Sequence, residues 1–509
     1  MNLRSSTTGT LWRPSRALRG MALFALVCLV FLLVMRQDPL YSDNQTTKFL
    51  HGMAWAGAGD LRHDWLAGTK DGLPLFSGLV YAIFAWLPPF MVYVLFAGLV
   101  GVCFFSLEGI LRHTFGIAAG GRRHAWLCAS LIIILACFHT WYDGVAAQYL
   151  LGDYLQPCVF GVFIFLSVRW FLERKEGAAS AALALAYLMH PAYLFLAVVL
   201  IAAYLFELRR DGREARAYLT TLGPFLVCIA AYVLYLGMVF RPTSPQAFAQ
   251  ATRILAVERI PYHSLISNWA GPSAYGKLVL VLIAIRLLRG RPLARLLAWL
   301  TAATLLLTLV QGATHSNALA LVAPWRASVV IVPLALFAVI ARLLLQVPEA
   351  DRAMAGKRLV TVFTLLLLVL VARGLRSNLK EYRAYHAGPE MAVLRYIKAH
   401  RQPGDVYCIP VRDAAFEKFR LETGAPAFVN WKSHPYKDVE VLEWDARIAL
   451  AQRLGKATPA DLPTVLEALR AHDHVTHIVV RQPAPWPDAP GLVQAFADPA
   501  FVLYRIVPR

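Results

Sequence analysis

The chain has 509 residues, of which 58% are hydrophobic and only 16% charged, a balance too apolar for an ordinary soluble protein. Its formal net charge of +19 would suit a nucleic-acid binder, but from Arg376 onward there are 18 Lys+Arg against 15 Asp+Glu. The excess therefore lies among the apolar runs, mostly as Arg at their ends, which is the positive-inside pattern of a membrane protein and argues against a nucleic-acid partner. Of seven cysteines only Cys408 falls in the C-terminal part, so that part has no internal disulfide, and no C-x-x-C pair offers a cysteine metal site.

In chain order, residues 1–20 form a basic tail with Arg4, Arg13, Arg16 and Arg19, and Met21 to Met35 is apolar. No small-x-small cleavage site follows, so this reads as an uncleaved signal anchor with a cytoplasmic N-terminus. Further spans are expected near 90–110, 125–140, 157–172, 178–190, 192–206, 217–239, 276–288, 296–311, 326–345 and 358–375. Eleven crossings put the C-terminus outside, and Lys and Arg crowd the segments this assigns to the cytoplasm. Leu73 to Leu87 is apolar too, but a crossing there would place Arg112, Arg122 and Arg123 outside. It reads as a re-entrant or interfacial helix. The expected fold is thus a polytopic α-helical membrane protein, 21–375, with an outer loop at 41–72 and a periplasmic α/β domain at 376–509. In that domain helices are expected at 389–401, 439–454 and 462–472, and strands at 406–411, 425–431, 475–480 and 500–507.

With this topology the outer side carries the chemistry. Asp43, Asp64 and Asp71 stand in the first loop, Arg259 and His263 in RILAVERIPYHSLISNW, and Arg326 in GATHSNALALVAPWR. Met189-His190-Pro191 makes a tight hairpin near the outer surface, with Tyr193 just beyond. A carboxylate here can act as a general base or hold a divalent cation, Mg or Mn, against a phosphate; an Arg can clamp phosphate oxygens. In the soluble domain Arg420, Lys432 and His434 lie near strand ends, where they either contact an anionic or sugar ligand or pack the domain onto the outer loops. Structural roles compete at each position. Asp43 can end a helix, Asp64 with Trp65 can anchor at the interface, His190-Pro191 can simply turn the chain, and Arg326 can snorkel.

A signal anchor followed by a long outer loop with an acidic residue just past the first span resembles the GT-C class of polyprenyl-phosphate-sugar-dependent glycosyltransferases. The matching residue is Asp43 in YSDNQ, which the resemblance makes a catalytic base or metal ligand. Asn44 and Gln45 follow it, so no D-x-D or E-x-D pair forms. SDNQTTKFLHG, DWLAGTKDGLPLFS, HPAY, RIPYHS, APWR and FRLETGAPAFVNWKSHPYKDVEVLEW also resemble an uncharacterised bacterial family of multi-pass membrane proteins, which brings no established activity. The expectation is a bacterial inner-membrane enzyme moving a sugar from a polyprenyl-phosphate donor to a periplasmic acceptor. Asp43 would be catalytic, and Asp64, His190, Tyr193, Arg259, His263, Arg326, Arg420 and Lys432 would bind substrate. The alternative is a non-catalytic protein that binds or moves a lipid-linked intermediate, or anchors a periplasmic binding domain.

Overall fold

Among the described residues seven helices are long and apolar enough to cross a membrane: Ala17–Val34, Met91–Phe115, Pro191–Arg210, Ala215–Val239, Pro292–Thr314, Asn317–Leu344 and Thr361–His386. The computed structural model that shows them describes residues 15–348, 352–486 and 489–507. Arg4 and Arg13 of the basic tail, and part of the expected 346–358 loop, lie outside the described residues. The other expected spans are helical but shorter: Arg122–Cys137, Val162–Leu172, Glu176–Met189 and Pro272–Leu287. Pro74–Trp86 has 13 residues, about 20 Å of helix, less than a bilayer core requires.

The layering of the helices follows from where apolar side chains go. Met91–Phe115 runs through the middle, with Val100, Leu107 and Ile110 fully buried against Val162–Leu172 and the first helix. Ala215–Val239 and Thr361–His386 instead turn Leu219, Val227, Met238, Leu365 and Val369 outward. Wide apolar outer faces of this kind are stable only against lipid, so the chain contacts membrane lipid there. The first and last long helices touch at Gly374, where an added Cβ would fall against the Leu33 carbonyl.

The expected boundary at 376 is not a break. Helix Arg352–His386 runs 35 residues straight into the C-terminal domain. RSNLKEYRAYH holds no Pro or Gly, and the stop comes only at Gly388-Pro389. The domain has a four-stranded sheet in the order β1-β2-β4-β3, with β1 Tyr407–Cys408, β2 His477–Arg481, β3 Leu492–Ala497 and β4 Phe501–Ile506. β1 and β2 are parallel and the other pairs antiparallel. Helices Met391–His400, Asp438–Lys456 and Leu462–Asp473 match expectation. The strand expected at 425–431 does not form; only one bridge, Tyr407 to Ala427, remains. The segment still runs beside β1, with Tyr407 N–H donating to the Pro426 carbonyl and Phe428 N–H to the Tyr407 carbonyl, while Ala427 turns its own groups the other way in an exchange with Asp64 and Arg420: its N–H donates to Asp64 and its C=O accepts from Arg420.

That exchange locks the domain onto the first loop. Arg420 Nε donates to Asp64 Oδ2 at 2.6 Å, with the two side chains 2% and 0% exposed. Asp64 Oδ1 also accepts from Leu66 N and Ala67 N. Nearby, Gly59 and Gly424 meet backbone to backbone, both at positive φ, where a Cβ on Gly59 would lie 2.4 Å from the Gly424 oxygen. Asp438 accepts two hydrogen bonds from Thr243, and Arg447 stacks over Trp65 at 4.3 Å. Asp64 and Arg420, both expected to bind substrate, are therefore consumed in docking. Removing one partner strands the other charge in a dry interface. Arg420→Ala should lower the unfolding free energy by about 3–5 kcal/mol, read as an early melting transition of the purified chain in detergent.

Candidate functional site

Four chain segments far apart in sequence are each bent so that a polar side chain faces one space. Asp43 sits in the left-handed region at φ 43°, which a short polar side chain tolerates. His190 is extended between helix Glu176–Met189 and Pro191, whose missing N–H ends the helix. Arg259 closes a π-helical turn, Ile254–Arg259, stopped by Pro261 and tied by Ser264 Oγ to the Ala256 carbonyl. Arg326 rides a 3₁₀ turn, Pro324–Ala327, preceded by Ala323 at φ 53°. An alanine held there costs roughly 1–2 kcal/mol, and strain of this size gathers at functional sites.

The space is a cavity of about 220 Å³ lined by His190, Arg259, His263, Arg326 and Lys432 of the expected residues. Lys48, Asn44, Gln148, Tyr149, Gln156, Tyr262, His434 and Tyr436 complete it. Lys432, His434 and Tyr436 come from the C-terminal domain, so the docked domain supplies one wall. Arg259 is 7% exposed and donates from Nη2 to the Lys432 carbonyl at 2.6 Å. Its guanidinium and that of Arg412 lie over the Trp431 ring, at 5.9 and 3.7 Å from its centre. Tyr193 does not line the cavity. It is buried beneath, donating to the Cys158 carbonyl at 2.6 Å, with its ring 5.2 Å from that of His190.

Electrostatics give the cavity its character. Lys48, Arg259, Arg326 and Lys432 face it, and of these Lys432 is the one with an ion-pair partner, Asp43, which lies next to the lining. Burial, helped by Arg326, Arg259 and Lys432, pushes the His263 ring down to about 4. Burial, with Arg259 and Lys48, pushes His434 well below its usual range. Both rings are neutral at pH 7, and His263 Nδ1–H donates to the Ala146 carbonyl at 2.7 Å. Burial raises the nearby Glu417 carboxyl against the pull of Lys432. Five buried nitrogens of the lining residues have no hydrogen-bond partner: His190 Nδ1, His434 Nδ1, Arg259 Nε, Arg326 Nε and Gln156 Nε2. Unsatisfied donors beside uncompensated cations describe a site shaped for an anion.

Asp43 is held from two sides. Lys432 Nζ contacts Oδ1, and Tyr154 O–H donates to Oδ2 at 2.5 Å. Behind Tyr154 the chain of donors runs to Tyr149, 2.8 Å away, and to Asn44. Burial pushes the Tyr149 phenol up to about 12, so it stays protonated. A divalent cation does not fit these residues: both Asp43 oxygens are engaged, and no three His, Cys, Asp or Glu side chains converge among the described residues.

Comparison with known proteins adds one match. Residues 388–451 match the family described as a domain of unknown function, DUF6798. The matched stretch holds Arg420, Lys432, His434, Tyr436 and Asp438, so it spans the docking surface and the wall the domain lends to the cavity. No curated protein matches the chain.

The neutral histidines make stability depend on pH. Unfolded, His263 takes a proton near 6.5; folded, it takes one only at about 4. The unfolded state thus binds more protons between these values. Stability is complete above pH 6.5 and falls as pH drops towards 4, by on the order of 3 kcal/mol for this ring. His263→Gln should flatten the decline of the melting temperature between pH 6.5 and 4.

Proposed function

We propose that this chain is a GT-C-like glycosyltransferase of the bacterial inner membrane, moving a sugar from a polyprenyl-phosphate donor to an acceptor at the periplasmic face. The observation that carries the reading is the cationic cavity, with Arg259, Arg326 and Lys48 free of any carboxylate partner and Asp43 next to it, paired with the lining Lys432. The topology that goes with it has eleven crossings, a cytoplasmic N-terminus, Pro74–Trp86 re-entrant or interfacial, and the C-terminal domain in the periplasm. The cavity then faces outward beside the lipid-facing helices, where a phosphate on a membrane-held chain arrives.

In this scheme the donor phosphate lies against Arg259 and Arg326, and Lys432 turns to it from Asp43. The freed Asp43 carboxylate accepts the proton of the acceptor hydroxyl. The acceptor oxygen bonds to the sugar's anomeric carbon as the bond from that carbon to the phosphate oxygen breaks. The lipid phosphate leaves with the electron pair, its new charge held by the same guanidinium groups. One observation favours the non-catalytic alternative, a binder of lipid-linked intermediates: both Asp43 oxygens are already engaged.

Transfer and binding separate the two. Asp43→Asn should abolish sugar transfer from a polyprenyl-phosphate donor in reconstituted vesicles, by about 10²-fold or more for a lost base, while lipid-phosphate binding persists. Transfer retained by Asp43→Asn sinks the catalytic assignment. Arg326→Ala should lose binding and transfer together.

A further inference from the structure

The number of positive charges in the cavity, and the lack of a place for a metal, bear on which phosphate group it takes. The inference rests on the phosphate-site reading above. Four cationic side chains face the cavity and Lys432 alone has a carboxylate partner, leaving Lys48, Arg259 and Arg326 uncompensated. Their other contacts are neutral: Tyr436 for Lys48 and the Lys432 carbonyl for Arg259. A single phosphodiester brings one negative charge to this space. A diphosphate diester brings two and has more oxygens for the unpartnered Arg259 Nε, Arg326 Nε and Gln156 Nε2. The field of these cations reaches both buried rings: Arg326 and Lys48 act on His190, and Arg259, Lys48 and Lys432 act on His434.

Diphosphate groups are commonly handled with a divalent cation held by carboxylates. Here no carboxylate is among the lining residues: Asp43, engaged by Lys432 and Tyr154, and Glu417, close enough to Lys432 to feel its charge, both lie outside the lining. We infer that the cavity takes a lipid carrying a diphosphate, and that Lys48, Arg259, Arg326 and Lys432 neutralise it in place of a metal ion. The transfer written above then breaks the bond between the anomeric carbon and the diphosphate oxygen, and the proton goes to Asp43 as before. The departing group is a lipid diphosphate, its added negative charge held by these side chains.

The test is calorimetric titration of the purified full chain in detergent with inorganic pyrophosphate and with inorganic phosphate, each in EDTA and in added magnesium. Pyrophosphate should bind at least about tenfold more tightly than phosphate, with the same affinity in both media. Arg326→Gln and the half-buried Lys48→Gln should each weaken pyrophosphate about tenfold or more. Arg174→Gln, at the exposed Arg174–Asp211 pair away from the cavity, should leave binding unchanged. Equal affinity for the two anions overturns the diphosphate inference and leaves a phosphate site. Binding that needs magnesium overturns the neutralisation by side chains. No binding of either anion overturns the phosphate-site reading itself. A melting profile of each variant, with Lys48→Gln as the milder change, separates lost contacts from lost folding.

Discussion

The pairing of Asp64 with Arg420 is the constraint on which the rest of the site depends. Two charges taken out of water need each other and every remaining hydrogen bond they can find. Asp64 finds the backbone of Leu66, Ala67 and Ala427; Arg420 finds the Ala427 carbonyl. Both meet at Ala427, whose own groups turn away from β1 while its neighbours Pro426 and Phe428 bond to Tyr407. The segment that leaves this anchor, Asn430 to Tyr436, then enters the cavity with Lys432 and His434. A docking interaction and an anion site are thus neighbours on one stretch of backbone.

The cavity itself is organised by what it lacks. Buried cations without carboxylates are costly, and proteins keep them where a ligand brings the opposite charge. The histidines fit the same field: surrounded by Lys and Arg, they stay neutral and offer hydrogen bonds without adding charge. Asp43 stands apart from this group, outside the lining and paired with Lys432. One lysine therefore connects the cationic cavity to a neighbouring carboxylate.

Much of this was legible in the sequence, for identifiable reasons. Apolar runs bounded by Arg announce membrane helices because lipid tolerates little else. Arg259, His263 and Arg326 stood out because charged groups close to a membrane need partners, and they do share one cavity. Lys48, Gln156 and Tyr149 were not singled out: their importance comes from the folding together of loops a hundred residues apart, and no spacing encodes that. Asp64 and Arg420 were noticed as polar but not as partners, since 356 positions separate them. The segment at 425–431 had the right pattern and does run beside β1, but it bonds there through Pro426, Phe428 and Trp431 around a single bridge, short of a strand. β3 was missed because LVQAFA is a half-exposed edge with weak alternation.

The unbroken helix Arg352–His386 has a mechanical consequence. At 1.5 Å per residue its 35 residues make a rod of about 52 Å, and Gly374 seats it against the first helix. The C-terminal domain is thereby braced at one end by this strut and at the other by the Asp64–Arg420 lock. A body held at both ends cannot swing aside as a flap. The wall that the domain lends to the cavity, with Lys432 and His434, is held in place by the same two supports.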